Sequence, residues 1–202
     1  KLKKKFIVPA VGFILGMCAL IGAIYVVGEN QEQQNRTNAK LNAMTYTERI
    51  YGELMEGIGV TDTLKQVVIS GDGNINKFYD IAANMMDDSI QSIQIAPNGV
   101  VNEIYPEDLN ESGKIDLIND SDRGEISRYA RDNDTVIMQG TFELKQGGYG
   151  IAVRNPVYLK NENGQKSFWG FTIVILKVPE IFSDSAEALS NFGYKYSLQK
   201  GA

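Results

Sequence analysis

The stretch from residue 91 to residue 177 constrains the fold most, because its strands and turns can be recognised directly in the sequence. Pro97-Asn98-Gly99 and Asn161-Glu162-Asn163-Gly164 each separate two runs of β-forming residues. Asn-Gly favours a hairpin because both central residues of such a turn need positive φ. The run 168–176 is apolar on both faces, which predicts a central strand covered on both sides. We therefore predict one antiparallel sheet of about five strands.

The composition excludes several classes of function. The 202-residue chain has a net charge of −5 at pH 7, although four of its first five residues are lysines. An acidic body argues against nucleic-acid binding, which requires a basic surface. No histidine and only one cysteine, Cys18, are present, which excludes thiolate or histidine metal sites and histidine-based catalysis. We expect no cofactor and no metal, and we interpret Asp116, Asp120 and Asp122 as a solvated loop rather than a cation site.

An uncharged run at residues 6–28 follows the basic residues 1–5. As a helix it would be roughly 34 Å long, enough for a hydrocarbon core of about 30 Å. The competing interpretation is a secretory signal peptide, but the length and the lack of an A-x-A cleavage site favour a retained membrane anchor. The lysines place the N-terminus in the cytoplasm by the positive-inside rule, and the residues after Gly28 outside the membrane.

Residues 29–40 are polar on all sides and contain neither proline nor glycine. They are expected to continue the membrane helix as a solvated stalk. Residues 43–58 then carry apolar side chains at spacings of three and four, which predicts an amphipathic helix. This helix is expected to end at Gly57 or Gly59.

The apolar stripe on that helix has two interpretations. It packs against the sheet, or it forms a dimer seam, because Met44, Tyr51 and Ile58 are seven residues apart. The stripe is wider than a two-position seam, which favours packing. Both hold if the upper half packs and the stalk dimerises, and we expect a homodimer.

The remaining segments predict shorter elements and a domain organisation. Asn74 or Asn76 is expected to cap a helix. A helix within residues 121–133 is expected to turn Ile126, Tyr129 and Ala130 inward. The predicted elements are helices at 61–69, 74–87, 121–133 and 185–191 and a strand at 194–198. The predicted divisions are a basic end at 1–5, a transmembrane helix at 6–28, a stalk and long helix at 29–59, a sensor domain at 60–182 and the start of a further segment at 183–202.

Five segments, in order, resemble CHASE domains, which are extracytoplasmic sensor modules of histidine kinases and nucleotide cyclases. The resemblance covers roughly residues 45–182. It implies an α+β, PAS-like fold, in which a long N-terminal helix packs on one face of the sheet and a ligand pocket lies on the other. The resembling segments are IAPNGVV at 95–101 with IYP at 104–106, IDL at 115–117 with DR at 122–123, GTFEL at 140–144 with GG at 147–148, VRNPVY at 153–158, and FWGF at 168–171.

Strand alternation sorts side chains between the two faces of the predicted sheet. If Val136, Met138, Phe142 and Leu144 pack on the long helix, the residues between them face the pocket. The pocket patch then contains Gln139, Thr141, Arg154 and Tyr158. A guanidinium beside an amide and hydroxyls suits an anionic or hydrogen-bonding small molecule. The helix 121–133 and the loop 107–120 would form the lid.

The resemblance adds Asp116 and Tyr105 to the candidate ligand-binding residues. In plant cytokinin receptors, an aspartate in the segment matching IDL binds the purine-like ring, which implies Asp116 as a polar anchor. Arg154 stands where those receptors have a smaller polar residue, so an adenine-like ligand is not expected. The alternative interpretations are that Arg154 pairs with Glu143 or Glu103 and that Asp116 caps a helix or loop.

These observations predict an extracytoplasmic small-molecule sensor of a membrane-bound receptor, with its output domain in the cytoplasm. The alternative is a membrane-anchored ligand-binding or adhesion ectodomain without signalling output. An enzyme using Glu103, Asp116 and Glu143 is a weaker alternative, because no catalytic motif supports it. We therefore expect this stretch of chain not to be an enzyme.

Overall fold

The computed structural model describes residues 2–107, 115–144, 147–193, 195 and 197, with the backbone alone described for residues 2–8. The chain divides into two compact units, one ending at Glu48 and the other beginning at Arg49. The predicted strand at 194–198 and the lid loop at 107–120 fall largely or partly outside the described residues.

The first unit consists of the N-terminal part of helix α1 (Leu2–Ser70). Its large apolar side chains are exposed: Phe13 is 70% exposed, and Ile24 and Tyr25 are each 71% exposed. The most apolar window has a mean hydropathy of 2.4, and the helix is long and apolar enough to cross a membrane. The segment 29–40 is helical, as predicted for the stalk.

The prediction that the long helix ends at Gly57 or Gly59 is wrong, because α1 continues to Ser70 and absorbs the predicted helix 61–69. A glycine inside a helix lowers its stability by only about 1 kcal/mol relative to alanine. Packing against the sheet outweighs that loss. A Cβ on Gly57 would lie 2.6 Å from Cδ1 of Leu176, so this glycine allows the helix to approach the sheet closely.

The second unit contains a five-stranded antiparallel sheet with the order β2-β1-β5-β4-β3, which confirms the predicted α+β fold. The apolar run 168–176 belongs to β5, the middle strand, as predicted. The strands are β1 (Ile90–Pro97), β2 (Glu103–Tyr105), β3 (Ile137–Glu143), β4 (Tyr149–Lys160) and β5 (Lys166–Val178). The helices besides α1 are α2 (Phe78–Met85), α3 (Gly124–Asn133) and α4 (Ser183–Asn191), with one 3₁₀ turn at Glu180–Phe182.

Each face of the sheet carries its own apolar cluster. On the face covered by α1 and α2, the buried members are Leu64, Phe78, Ala82, Ile90, Ile93, Ile95, Val153, Val174, Leu176 and Ile181. On the opposite face, which α3 covers, they are Ala96, Val101, Ile104, Leu117, Ala130, Ile137, Phe171 and Ile173. β5 contributes to both clusters, with Val174 and Leu176 in the first and Phe171 and Ile173 in the second, so this strand is covered on both faces.

The predicted turns are present where the structure describes them. Asn98 and Gly99 have φ of 55° and 86°, the positive values that the Asn-Gly signal requires. Gly164 closes the hairpin between β4 and β5 with a φ of 75°. Both turns therefore lie where the local sequence predicts them.

Three details of the shorter helices differ from expectation. α2 begins at Phe78 after Lys77, whose φ is 64°, and no side chain caps it, so neither Asn74 nor Asn76 has the predicted role. In α3, Ala130 is buried as predicted, but Tyr129 is 59% exposed. The buried residues of α3 are Gly124, Ser127 and Ala130, which are all small and spaced three apart.

Candidate functional site

The face of the sheet beneath α3 is the candidate site, because it combines an apolar floor with buried polar side chains. α3 packs on β3 and β4, above the cluster that contains Ile137 and Ile173. Most side chains on this face are aliphatic or aromatic. A polar group buried among them lacks water as a partner, so each such group requires an explanation.

Arg154 is the most unusual group on this face. It lies in the middle of β4 and is 3% exposed. Its Nη1 donates to Oε1 of Gln139 at 2.6 Å, and Nε has no hydrogen-bond partner among the described residues. Burial, and to a smaller extent the charge of Arg123, lower the pKa of Arg154 to about 10, while the charge of Asp120 opposes this shift. The guanidinium therefore remains charged at neutral pH with one donor unused.

The loop before α3 holds the charges nearest to Arg154. Asp120 Oδ1 accepts hydrogen bonds from the backbone N–H groups of Asp122 and Arg123, each at 2.9 Å. These bonds, with the charges of Arg123 and Arg154, lower the pKa of Asp120. Gln139 Nε2 donates to the carbonyl of Asp122 at 3.2 Å. The amide of Gln139 thus connects the guanidinium to the loop.

Ser127 adds a second buried polar atom without a partner. It lies on the first half of α3, is fully buried, and its Oγ has no hydrogen-bond partner among the described residues. A ligand with hydrogen-bond acceptors would use the spare donor of Arg154, and a hydroxyl such as that of Ser127 can donate or accept. Among the described residues, Nε of Arg154 and Oγ of Ser127 are therefore available to hydrogen-bond a ligand, next to an apolar surface.

The structure brings together only part of the predicted ligand set. Gln139 and Arg154 are adjacent, and among the described residues Arg154 makes no hydrogen bond or ion pair with Glu143 or Glu103. Tyr158 is further along β4, where its hydroxyl donates to the carbonyl of Arg131 and its ring packs edge-on against Phe168 at 5.7 Å.

Thr141, Tyr105 and Asp116 lie apart from that pair. Thr141 is exposed, because the register of β3 with β4 shifts between Gly140 and Phe142 and breaks the alternation on which its placement depended. Phe142, which follows the shift, is 37% exposed rather than packed on the long helix, and Met138, which precedes the shift, is also 37% exposed. Tyr105 packs with the cluster on the α1 side of the sheet.

Asp116 stabilises the turn that leads towards α3. Its Oδ1 accepts from the backbone N–H groups of Ile118 and Asn119, each at 3.0 Å, and its Oδ2 accepts from Nδ2 of Asn119 at 2.8 Å. These contacts support the alternative interpretation of Asp116 as a loop cap. They occupy both carboxylate oxygens.

Replacement of Asp116 with asparagine is expected to make stability less sensitive to acid. The hydrogen bonds from Asn119 lower the pKa of Asp116 below 3.8. A carboxyl with a lower pKa in the folded state stabilises the fold above its unfolded-state pKa and loses that contribution as pH falls through the folded-state pKa. Asp116→Asn should lower the free energy of unfolding by about 0.5–1.5 kcal/mol at neutral pH. Denaturant titrations should show the difference from wild type shrinking below pH 3.8.

Asp88→Asn is the matched control, because Asp88 is exposed and its removal changes the net charge equally. It should leave the free energy of unfolding nearly unchanged both at neutral pH and below pH 3.8. An Asp116→Asn variant that behaves like Asp88→Asn would contradict the capping role.

Asp120, Arg123 and Ser127 belong to the site but were not among the predicted ligand-binding residues. Asp122 and Arg123 lie in one of the segments compared with CHASE domains. That comparison pointed to the loop but did not indicate the role of each residue in it. Ser127 could have been found from the inward face of α3, one turn before Ala130. Among the described residues, no group of three or more acidic or cysteine side chains is placed to hold a metal ion.

Comparisons with known proteins support the fold. No family model matches the sequence, and no curated protein matches it. One similar solved structure is an extracellular ligand binding receptor from Desulfohalobium retbaense, with 13% identity and a TM-score of 0.53. The match covers 72% of this chain and 26% of that receptor, so this chain spans about a quarter of its length. At this identity the likeness shows the fold alone: an α+β fold of a kind found in an extracellular ligand-binding receptor.

Proposed function

We propose that the chain is the extracytoplasmic sensor module of a membrane-bound signalling receptor of the CHASE type. Its fold is shared with part of an extracellular ligand-binding receptor, and α1 begins with a segment long and apolar enough to cross a membrane. In this proposal the N-terminus is cytoplasmic, the sheet lies outside the membrane, and the output domain is in the cytoplasm.

The buried guanidinium of Arg154 is the observation that carries the proposal. A charged group that is 3% exposed, and whose Nε has no partner among the residues the structure describes, costs free energy unless a ligand accepts from that donor. A small ligand with a carboxylate or another acceptor group would supply the partner, and the apolar floor would contact its body. Gln139 would position Arg154, and Ser127 would offer a further hydroxyl.

Signalling would follow from the position of this site across the sheet from α1. A ligand changes a conformational equilibrium only by its difference in affinity for the two states, typically about 1–3 kcal/mol. Binding beneath α3 would alter the packing of β4, and β4 pairs with β5, on which α1 packs. The helix that receives this change is continuous with the apolar segment.

A homodimer is part of the same proposal. In the first unit, Leu41 and Met44 are 56% and 58% exposed on a helical stalk. Apolar side chains three residues apart on a solvated helix suit a seam with a second copy. Such a dimer would bring two membrane segments together.

A thermal-shift screen of the full chain in detergent against small carboxylic acids tests the proposal. A ligand at a hundred times its Kd should raise the Tm by roughly 5–10 °C. Arg154→Met should abolish that shift and change the Tm without ligand little, because the lost hydrogen bond to Gln139 opposes the gain from removing a buried charge.

Arg36→Met provides the matched control, because Arg36 is exposed and pairs with Glu32 within α1. The ligand-induced shift should persist in this variant. A shift that survives Arg154→Met intact would show that the ligand binds elsewhere.

The alternative function is a membrane-anchored ligand-binding or adhesion ectodomain without signalling output. The coding sequence after Ala202 distinguishes the two. A second apolar span followed by a cyclase or kinase domain supports sensing, and an early stop codon supports the alternative.

A further inference from the structure

A cleft lined by residues other than Arg154 lies where the hairpin between β4 and β5 meets the end of α1. Its volume is about 400 Å³, within the range of small-molecule sites. Its lining combines an apolar part with a charged part. The lining residues are Lys65, Ile69, Asp72, Asp134, Tyr158, Leu159, Lys160 and Lys166.

The charged part of this cleft has an excess of positive charge. Lys160 and Lys166 are paired directly opposite each other in the antiparallel hairpin. Like charges in such a pair are destabilising, because their side chains start only about 5 Å apart. Lys65 brings a third ammonium group from α1, while Asp72 and Asp134 bring two carboxylates. The cleft therefore gathers three cations around two anions.

The ion pairs within the cleft are long. Asp134 Oδ1 is 3.8 Å from Nζ of Lys65, and Oδ2 is 3.8 Å from Nζ of Lys166. Charge-assisted hydrogen bonds between ammonium and carboxylate groups are usually about 2.7–2.9 Å long. The carboxylate of Asp134 thus lies between two lysines and is too far from either for a charge-assisted hydrogen bond. Lys160 has no ion pair among the described residues.

We propose that this cleft binds a small oxyanion, a carboxylate or a phosphate, through Lys65, Lys160 and Lys166. An oxyanion between the two opposed hairpin lysines would remove their repulsion and accept the donors that Asp134 leaves free. Ile69, Leu159 and the ring of Tyr158 would contact an apolar body. Asp134 competes with the ligand for Lys65 and Lys166.

The site is distinct from the one proposed beneath α3 and does not depend on it. Lys65 belongs to α1, Asp134 follows α3 as its C-terminal cap, and Lys160 and Lys166 belong to the hairpin. Lys65 Nζ also donates to Oδ1 of buried Asn155 at 3.1 Å. An oxyanion here would connect three elements at the end of the sheet where α1 stops.

Isothermal titration of the full chain in detergent, at constant ionic strength set with sodium chloride, tests the proposal. The probes are inorganic phosphate and succinate. We expect saturable binding of at least one, weakened about tenfold by Lys160→Gln and by Lys166→Gln, because each loses one charge-assisted hydrogen bond. Asp134→Asn should tighten binding several-fold, because it removes the competing carboxylate. Binding of phosphate alone or succinate alone identifies the source of the oxyanion.

Two controls separate this site from other cationic groups. Lys40→Gln removes an exposed lysine from the first unit and should leave the affinity unchanged. Arg36→Met, at an exposed arginine that pairs with Glu32 within α1, should also leave it unchanged. The proposal is overturned if neither probe binds saturably, or if the Lys160→Gln/Lys166→Gln double variant binds like wild type.

Discussion

Gly170→Ala is expected to lower the free energy of unfolding by roughly 2–4 kcal/mol, since backbone strain and overpacking each contribute about 1–3 kcal/mol. Gly170 has a φ of 156°, and a Cβ there would lie 2.1 Å from the carbonyl oxygen of Ala96. The neighbouring atom belongs to backbone in β1, which pairs with β5 at Pro97↔Gly170. Relief would require the two central strands to separate.

Chemical denaturation followed by circular dichroism and by the fluorescence of Trp169, the single tryptophan, measures this effect. Gly164→Ala is the matched control, because Gly164 also has a positive φ, 75°, but a Cβ there would meet nothing within 4 Å. It should lower stability by only about 1–2 kcal/mol. Equal losses in the two variants would mean that β1 and β5 do not approach as described.

The second large effect is expected at Asn155, which joins the sheet to α1. Asn155 is 1% exposed. Its Nδ2 donates to Oδ1 of Asp62 at 2.7 Å and to Oγ1 of Thr61 at 3.4 Å, and its Oδ1 accepts from Lys65. Asn155→Leu should lower the free energy of unfolding by roughly 2–4 kcal/mol, because it leaves several buried polar groups without their partner.

Thr172→Val gives a graded comparison, because it removes one bond from the same contact region. Thr172 Oγ1 donates to the carbonyl of Thr61 at 2.9 Å and is fully buried. Its loss should lower stability by about 1 kcal/mol. The double variant should show non-additive losses, since both residues contact Thr61. An Asn155→Leu variant as stable as wild type would show that these polar contacts do not secure α1.

The fold could be predicted where local sequence and burial agree. Asn98-Gly99 required positive φ, and the doubly apolar run of β5 required cover on both faces. The end of α1 could not be predicted, because Gly57 and Gly59 favour termination locally. The sheet packing that overrides them is formed by residues such as Leu176, more than one hundred positions away in sequence.

The candidate site could be predicted only where strand alternation is regular. Gln139 and Arg154 lie together because Gln139 precedes the shift in β3 and Arg154 lies in a regular part of β4. Thr141 lies within the shift, between Gly140 and Phe142, and no residue pattern indicated it. Asp116 was assigned by resemblance, and its carboxylate oxygens are instead occupied within its own turn.

The irregularity in β3 limits how readily two copies of the molecule can pair through the edges of their sheets. In the strand order of the described residues, β3 and the three-residue β2 are the outermost strands. A long, straight border strand offers unpaired peptide groups on which another chain can extend the sheet. The shift at Gly140 and Phe142 interrupts that template on one side, and the brevity of β2 limits it on the other. At high protein concentration, different copies should therefore not pair their edge strands into one continuous sheet.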